Sequence, residues 1–475
     1  MADRFLTSIS GYLPLLRLDR AATANALRFS GLGGRGAGFR SVAGWDEDAL
    51  TIGVEAARPV VVSAKPDSII FASTSAPFFE RGHAVLLLEA LALPATVRTN
   101  DVAGSRRCGV AALLNALLGR GEILVVAGER RSARAGSPQH FGFGDGGAAA
   151  LVGDSGAARL IGHASLSHDF VDIYASRERP EPYAYEERFI KDVAIGGIVA
   201  PTLLAACANA GIAPQAITLA AVHEPVAGCW RDISRATGIA APNLCNDLAQ
   251  AAGDLGAAHP LYAASLAFDR AVPGDIVLVS GFGSGCDALV FEVTAAMPGA
   301  AEAVTALKSG APLADYVRFL SLTDQIALDW GVRGEFNQKA QATALERHGR
   351  DMLGFIGGRD STGNVQFPKS RVPVNPAADP AVPLENVRLA DAAAHIVSVT
   401  ADRLNFTPDP PFWFGLVQFD NGARVMMEFT DADVRPFAVG DPVRMRLRIK
   451  SRDRQRGFRT YFWKAAPAVR PMMEG

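Results

Sequence analysis

Asp275–Val293 reads DIVLVSGFGSGCDALVFEV. Two short apolar runs bounded by glycines fit a pair of fully buried strands, and Gly281, Gly283 and Gly285 between them let the backbone approach a ligand or another segment closely. An earlier stretch repeats the pattern. Glu122–Asp154 contains EILVVAGER and then FGDGGAAALVGD, again strand, loop, glycine turn and apolar run. Farther out, Ser68–Pro77 (SIIFASTSAP) matches Ala216–Pro225 (AITLAAVHEP), and Asn100–Ala103 (NDVA) matches Asn246–Ala249 (NDLA). Four correspondences in the same order predict two homologous halves.

The 475 residues, 49% hydrophobic and 20% charged, are enough for two or three domains with large cores. A net charge of -2 gives no electrostatic reason to expect nucleic acid or an anionic membrane as partner. The start of the chain lacks a basic region followed by an apolar run, and no stretch reads as the roughly 20 apolar residues that span a bilayer. A soluble cytoplasmic protein is the expectation. The five cysteines form no CxxC pair, so neither a disulfide framework nor a metal site is expected.

Gly31–Gly38 (GLGGRGAG) lacks both a preceding apolar strand and the GxGxxG spacing, and reads as a loop rather than a nucleotide site. Strands alternating with buried helices predict an α/β fold whose sheets are covered on both faces. The halves run over residues 1–155 and 156–300, the second opening with a polar, aromatic excursion, Ser165–Asp192, placed as a cap over a pocket. Residues 301–352 read as a helical connection and 353–383 as a turn-rich stretch and linker. Residues 384–475 alternate apolar and polar in short runs such as DPVRMRLRIK, the pattern of a small all-β barrel of OB type.

His223 ends an apolar strand in the turn HEP. By the repeat it sits opposite Thr74 across a pseudo-dyad, where both halves can contribute to one pocket and where an imidazole could accept a proton at neutral pH. Asp254, in AGDLGAA, could orient that imidazole or simply cap the next helix.

Residues Ser68 to Val293 resemble the thiolase superfamily, and most of all the archaeal-type hydroxymethylglutaryl-CoA synthases and initiating ketoacyl synthases. HEP after His223, GDLGAAHPLYAASLA, RAVPGDIVLVSGFGSGCDAL and FGDGGAAALVGD carry the resemblance. It implies a duplicated αβαβα sandwich, a CoA thioester as substrate, no permanently bound cofactor, and a homodimer. It also implies a cysteine nucleophile at the start of a buried helix, a histidine, an asparagine and, in the hydroxymethylglutaryl branch, a glutamate acid/base. The histidine carries over to His223 and the asparagine position to Asp254.

The other two positions depart. The family's cysteine lies five residues after an aspartate matched by Asp101 and three before a glycine matched by Gly109, and both counts fall on Arg106. The glutamate falls on Thr74. Cys108 and Ser105 are the nearest thiol and hydroxyl. Beside Arg106 and Arg107 at a helix start, the Cys108 thiol would have a lowered pKa. Two positions along a helix also turn it roughly 200° away, so acylation of Cys108 and a buried structural thiol both stand. Gly283, Ser284 and Gly285, with Thr74, Ser105 and Arg106, complete the expected acyl-CoA pocket.

The C-terminal part resembles the zinc-ribbon and OB-fold proteins that accompany thiolases, through TADRLNFTPDPPFWFGLVQFDNGARVMMEFTD and GFRTYFWKAAP. The ribbon would occupy Leu353–Pro376, but its cysteines are absent and no zinc is expected. Arg444, Arg446, Arg448 and Arg452 could reach CoA phosphates or form a solvated face of the barrel. Two functional readings follow. One is an acyl-CoA-handling enzyme of Claisen type, condensing or cleaving; the other is a helper subunit that binds acyl-CoA and supports a separate thiolase.

Overall fold

A computed structural model describes residues 3–473 apart from 33–36, 63, 185 and 332–341. Much of the GLGGRGAG stretch and part of the helical connection therefore lie outside the described residues. The chain divides into two compact units, one built from Met1–Ala43, Asp48–Val85 and Thr96–Leu320, the other from Gly44–Glu47, Leu86–Ala95 and Ser321–Gly475.

Unit 1 is organised by the repeat. In the first half β1 (Phe5–Tyr12), β2 (Ser68–Ala72), β3 (Arg98–Val102), β4 (Ile123–Glu129) and β5 (Gly146–Gly153) line up as β3-β2-β4-β5-β1. In the second, β6 (Ala158–Ser167), β7 (Leu219–Val222), β8 (Ile276–Phe282) and β9 (Gly285–Val293) line up as β7-β8-β9-β6. Over four strands the orders are equivalent, with β2-β4 and β7-β8 parallel and β4-β5 and β8-β9 antiparallel. The halves join edge to edge where Phe5 and Leu6 pair with Arg159 and Ala158.

Among the described residues, half two has no strand equivalent to β3. Its place is taken by a single bridge between Ala220 and Asn243, and the Asn243 amide bonds the Val222 N–H and C=O at 2.9 Å each, as a neighbouring strand would. The match of NDVA with NDLA does not hold in space. Asn100–Val102 lies in β3, whereas Asn246–Ala249 lies in a helix, Leu244–Ala251, whose N-cap is Asn243. The capping side chain commits that segment to a helix despite the shared letters.

Three helices position the site. α1 (Cys108–Leu118) and α3 (His259–Arg270) share one core with Val125, Ala150, Val277 and Leu289, and so pack against strands of both halves of the sheet. α2 (Trp230–Thr237) packs in a second core with Leu203, Leu278 and Val290 on the other face of half two. Ala49–Ala57 packs on β4 and β5, completing the alternation of helix and sheet layers expected of an αβαβα sandwich. The start of α1 comes so near residue 257 that a Cβ at Gly109 would lie 2.1 Å from the Ala257 carbonyl oxygen, so only glycine fits.

One helical run, Glu187–Asn209, is long and apolar enough to cross a membrane, contrary to the reading that no segment reaches that length. Half of its apolar window is buried within the chain, and its later turns pack on β6 and β9.

In unit 2 a small antiparallel sheet of Ile356–Arg359, Val365–Gln366 and Glu385–Arg388 precedes the barrel. At the turn where ribbon cysteines would stand, the Asp360 carboxylate accepts from Thr362 N–H, the Thr362 hydroxyl and Asn364 N–H at 2.9, 2.6 and 3.0 Å. A hydrogen-bonded carboxylate closes this turn. The barrel strands β10 (Phe412–Phe419) and β11 (Arg424–Glu428) alternate buried and less buried residues, whereas β12 (Pro442–Asp453) and β13 (Phe458–Pro467) are buried continuously over Met445–Ile449 and Trp463–Ala466. Phe429 bridges to Ala465, bringing the end of β11 against β13.

The arginines of β12 are not a free phosphate-binding face. Arg448 is fully buried and pairs with Glu47 at 3.1 Å and Asp431 at 3.2 Å. Arg446 is also buried, and Arg452 bonds the Trp45 carbonyl and Asp324. Desolvated arginines of this kind need carboxylates, and the segment Gly44–Glu47 supplies them.

Candidate functional site

Val222 ends β7 and presents His223, whose own N–H bonds the Ser280 carbonyl at 3.0 Å. With Asn243 gripping Val222 on one side and β8 on the other, the strand end is pinned. Asp254 arrives from the loop before α3, its N–H bonded to the Gly142 carbonyl at 2.8 Å and its C=O accepting from Gly144 at 3.0 Å. Its carboxylate is the hub. Oδ1 lies 3.2 Å from His223 Nε2 and accepts from Gly256 N–H at 2.8 Å, while Oδ2 meets Arg131 at 2.8 Å and Arg106 at 3.3 Å. The second terminal nitrogen of Arg106 meets Asp172 at 2.5 Å.

These partners set the protonation states. Burial alone would raise the Asp254 pKa, but Arg131, His223 and Arg106 together hold it well below the usual carboxylate range. Burial would lower that of Arg106, and Asp172 and Asp254 outweigh it, so the guanidinium stays charged. His223 moves down, through burial first and the two arginine charges as well, against the pull of Asp254. An ionised carboxylate can only accept, so the proton of neutral His223 sits on Nε2. Its Nδ1 is buried and has no hydrogen-bond partner among the described residues. The imidazole is thus a neutral base with one nitrogen oriented by a carboxylate and the other available.

Asp254 thus contacts His223 as an orienting group would, whereas the helix-cap reading is corrected: α3 is preceded by Ala258 and takes no side-chain cap, and Asp254 closes only the turn at Gly256. Arg106 occupies the expected cysteine position with its side chain turned to Asp172 and Asp254. Ser105 donates to the Gly283 carbonyl at 3.0 Å. Gly283 and Gly285 have φ of +147° and +120°, and Ser284 stands between them at +49°. A Cβ at Gly283 would lie 3.2 Å from the Arg106 nitrogen, so this turn lies directly against the start of α1.

Cys108 is corrected. The lowered thiol pKa expected at a helix start is not found: burial, and then the nearby Glu129 charge, push it strongly upward. Arg106 is engaged with carboxylates and Arg107 with the Leu166 carbonyl and Asp287. The thiol itself is 3% exposed and belongs to the apolar core.

Thr74 stands where the family glutamate would, but a carboxylate is close by. Thr74 N–H and hydroxyl donate to Glu129 Oε1 at 2.9 and 2.8 Å, Ala257 N–H adds a third bond at 3.1 Å, and Ser75 donates to Oε2. Burial raises the Glu129 pKa against these bonds and the charge of Arg131.

Sequence reading missed Glu129, Arg131, Asp172 and His259. The signal for the first two was a run of charges, Glu129–Arg130–Arg131, ending an otherwise apolar strand in ILVVAGERR. Asp172 carried none, lying in the polar excursion. His259 faces His223 with ring centroids 5.2 Å apart. Its Nδ1 accepts from Leu255 N–H and its Nε2 donates to the Cys245 carbonyl, and burial pushes its pKa down to about 3. Among the described residues no cluster of three or more His, Cys, Asp or Glu side chains is arranged to hold a metal ion.

A cleft of about 580 Å³ opens nearby on half two, lined by Lys191, Trp230, Arg231, Asp232, Arg235 and Asn246 among others. Lys191 pairs with Asp232 at 2.6 Å.

Over 315 residues the chain is 25% identical to the hydroxymethylglutaryl-CoA synthase of Aeropyrum pernix, an alignment covering 63% of this chain and 84% of that one. Among solved structures it is similar to a hydroxymethylglutaryl-CoA synthase complexed with CoA, at TM-score 0.58 and 17% identity, covering 71% of this chain and 95% of the other. The core of this chain has the thiolase-like fold. A second structural neighbour, the HMG synthase of the curacin biosynthetic pathway in complex with an acetyl donor-ACP, gives TM-score 0.57 at 17% identity over 74% and 95% of the two chains. Residues 387–448 match the family model of the C-terminal OB-fold domain of ChsH2. The OB-type barrel and the thiolase-type core thus stand in one chain.

Proposed function

We propose that this chain acts on CoA thioesters, forming or cleaving a carbon–carbon bond in a Claisen-type reaction without a cysteine-bound acyl group. One observation carries the reading: a buried neutral imidazole, His223, held at Nε2 by ionised Asp254 and available at Nδ1. In the condensing direction Nδ1 removes a proton from the carbon next to a thioester carbonyl. The imidazolium so formed lies against Asp254, and Arg106 and Arg131 add positive charge around the developing enolate, whose carbon attacks the carbonyl of a second CoA thioester; as that C–S bond breaks, the leaving CoA thiolate takes the proton from Nδ1. The nucleophile that a cysteine route requires is absent, because Arg106 fills its position and Cys108 resists ionisation. The cleft beside Trp230 and Arg231 is where the anionic part of CoA would enter. The archaeal relatives, named as hydroxymethylglutaryl-CoA synthases, support the substrate class.

Incubation with acetyl-CoA and longer acyl-CoAs, followed by intact-mass and peptide analysis and by assay of free CoA, tests this. Turnover with no protein-bound acyl group is expected; an adduct on Cys108 would replace the non-covalent route with a covalent one. A second reading is favoured by the pairing of Arg106 with both Asp172 and Asp254, which occupies the centre with protein side chains. In it the chain binds acyl-CoA and supports a separate cysteine-bearing thiolase. CoA binding without turnover alone, and turnover when such a thiolase is added, would decide for that helper role.

A further inference from the structure

Glu224 follows His223 directly, yet it takes no part in the proton chemistry above. Its side chain is buried. Oε2 accepts from Cys229 N–H at 2.6 Å and Oε1 from the Asn243 amide at 3.4 Å. The Gly228 and Trp230 amides and the Asn246 side chain also donate to it. Gly228 has φ of +83°, a turn that aims consecutive N–H groups at one point and that glycine adopts without strain. The amides at the start of α2, which could otherwise hold an external anion, are thus filled by the chain's own carboxylate.

Two structures meet at this carboxylate. Through Asn243, which holds the N–H and C=O of Val222, it connects to the strand end bearing His223. Through Gly228 to Trp230 it connects to α2, whose Trp230, Arg231 and Arg235 line the cleft. We propose that Glu224 is a positioning residue that locks the wall of the cleft to the imidazole, so that the two keep a fixed geometry. The inference holds whether or not the cleft takes CoA. It requires a charged acceptor with two oxygens, since donors converge on both.

The test uses the full chain with Glu224→Gln and Glu224→Ala, read by amide hydrogen exchange at Gly228–Trp230 and by NMR titration of the His223 ring. Loss of bonds to a charged acceptor is expected to speed exchange at those amides about 10- to 150-fold in the alanine variant. The glutamine variant, with one acceptor oxygen left, should fall between alanine and wild type. The groups facing His223 are Asp254, Arg106, Arg131 and His259, and once the strand end loosens its titration should move up toward the ordinary 6.5. A purely local structural role would expose the amides and leave that titration where it was, which overturns the proposal. Unchanged exchange overturns it equally. Should the alanine variant fail to fold, the glutamine variant decides: a smaller shift in the same direction supports the proposal, and none refutes it.

Discussion

In unit 1, one carboxylate, Asp254, gathers two arginines and an imidazole; in unit 2, two buried cations, Arg448 and Lys464, gather four carboxylates. Lys464 meets Asp46 at 2.9 Å and Glu428 at 3.0 Å, and these partners keep it charged against the cost of burial. The unit 2 cluster has no histidine, and the pull of Arg448 opposes the burial that raises the Glu47 pKa. Its charges are spent on one another, as a framework requires. The unit 1 cluster contains a neutral histidine with one ring nitrogen uncommitted, a state that contributes little to the fold and suits proton transfer. Two ion networks of similar burial can thus be told apart by whether a titratable group is left with something still to do.

The largest effect expected tests that distinction. Replacing His223 with alanine should lower turnover on the acyl-CoA substrate about 10²- to 10⁴-fold, with chemical denaturation shifted by no more than about 1 kcal/mol. A variant that loses stability instead would place His223 with the framework. Arg448→Met should do the reverse. It leaves Glu47 and Asp431 buried without their cation, at a cost of roughly 3–5 kcal/mol in denaturant titrations, while turnover per folded molecule is retained.

Acid titration comes next. His259 binds its proton more weakly folded than unfolded, its pKa lying near 3 against an ordinary 6.5. The unfolded chain therefore takes up the extra proton, and stability present above pH 6.5 is lost as pH falls toward 3. The slope is about 1.4 kcal/mol per pH unit, and His223, shifted the same way, adds to it. Urea midpoints measured from pH 7 to 4 should show this slope, and His259→Gln should remove one proton's share; an identical slope in that variant would place the effect elsewhere.

The smallest effect expected belongs to Cys108→Ala. A core thiol outside the chemistry should cost about 1 kcal/mol and leave turnover within about twofold. Loss of turnover there would bring the cysteine back into the mechanism.

The strands on either side of the Gly-Ser-Gly turn, the repeat and the barrel were legible because buried strands and alternating strands write their pattern locally. His223 and Asp254 were legible from their places beside glycines and strand ends. The correspondence of NDVA with NDLA misled because four letters do not register the cap at Asn243. The thiol of Cys108 was misjudged for a related reason, since a helix start lowers a pKa only where burial does not prevail. The arginines of β12 read as a surface pattern because part of the carboxylate set that meets them, Asp46 and Glu47, stands near the other end of the sequence.

The order of apolar runs and glycines was by itself sufficient to determine a doubled α/β core followed by a small barrel, because each strand's burial depends on its own side chains. Only the tertiary structure could decide the state of the site. Whether Arg106 is a free cation or half of a pair depends on Asp172 and Asp254, 66 and 148 residues away. Charge interactions are set by distance and solvent exclusion, and neither is written in the order of residues.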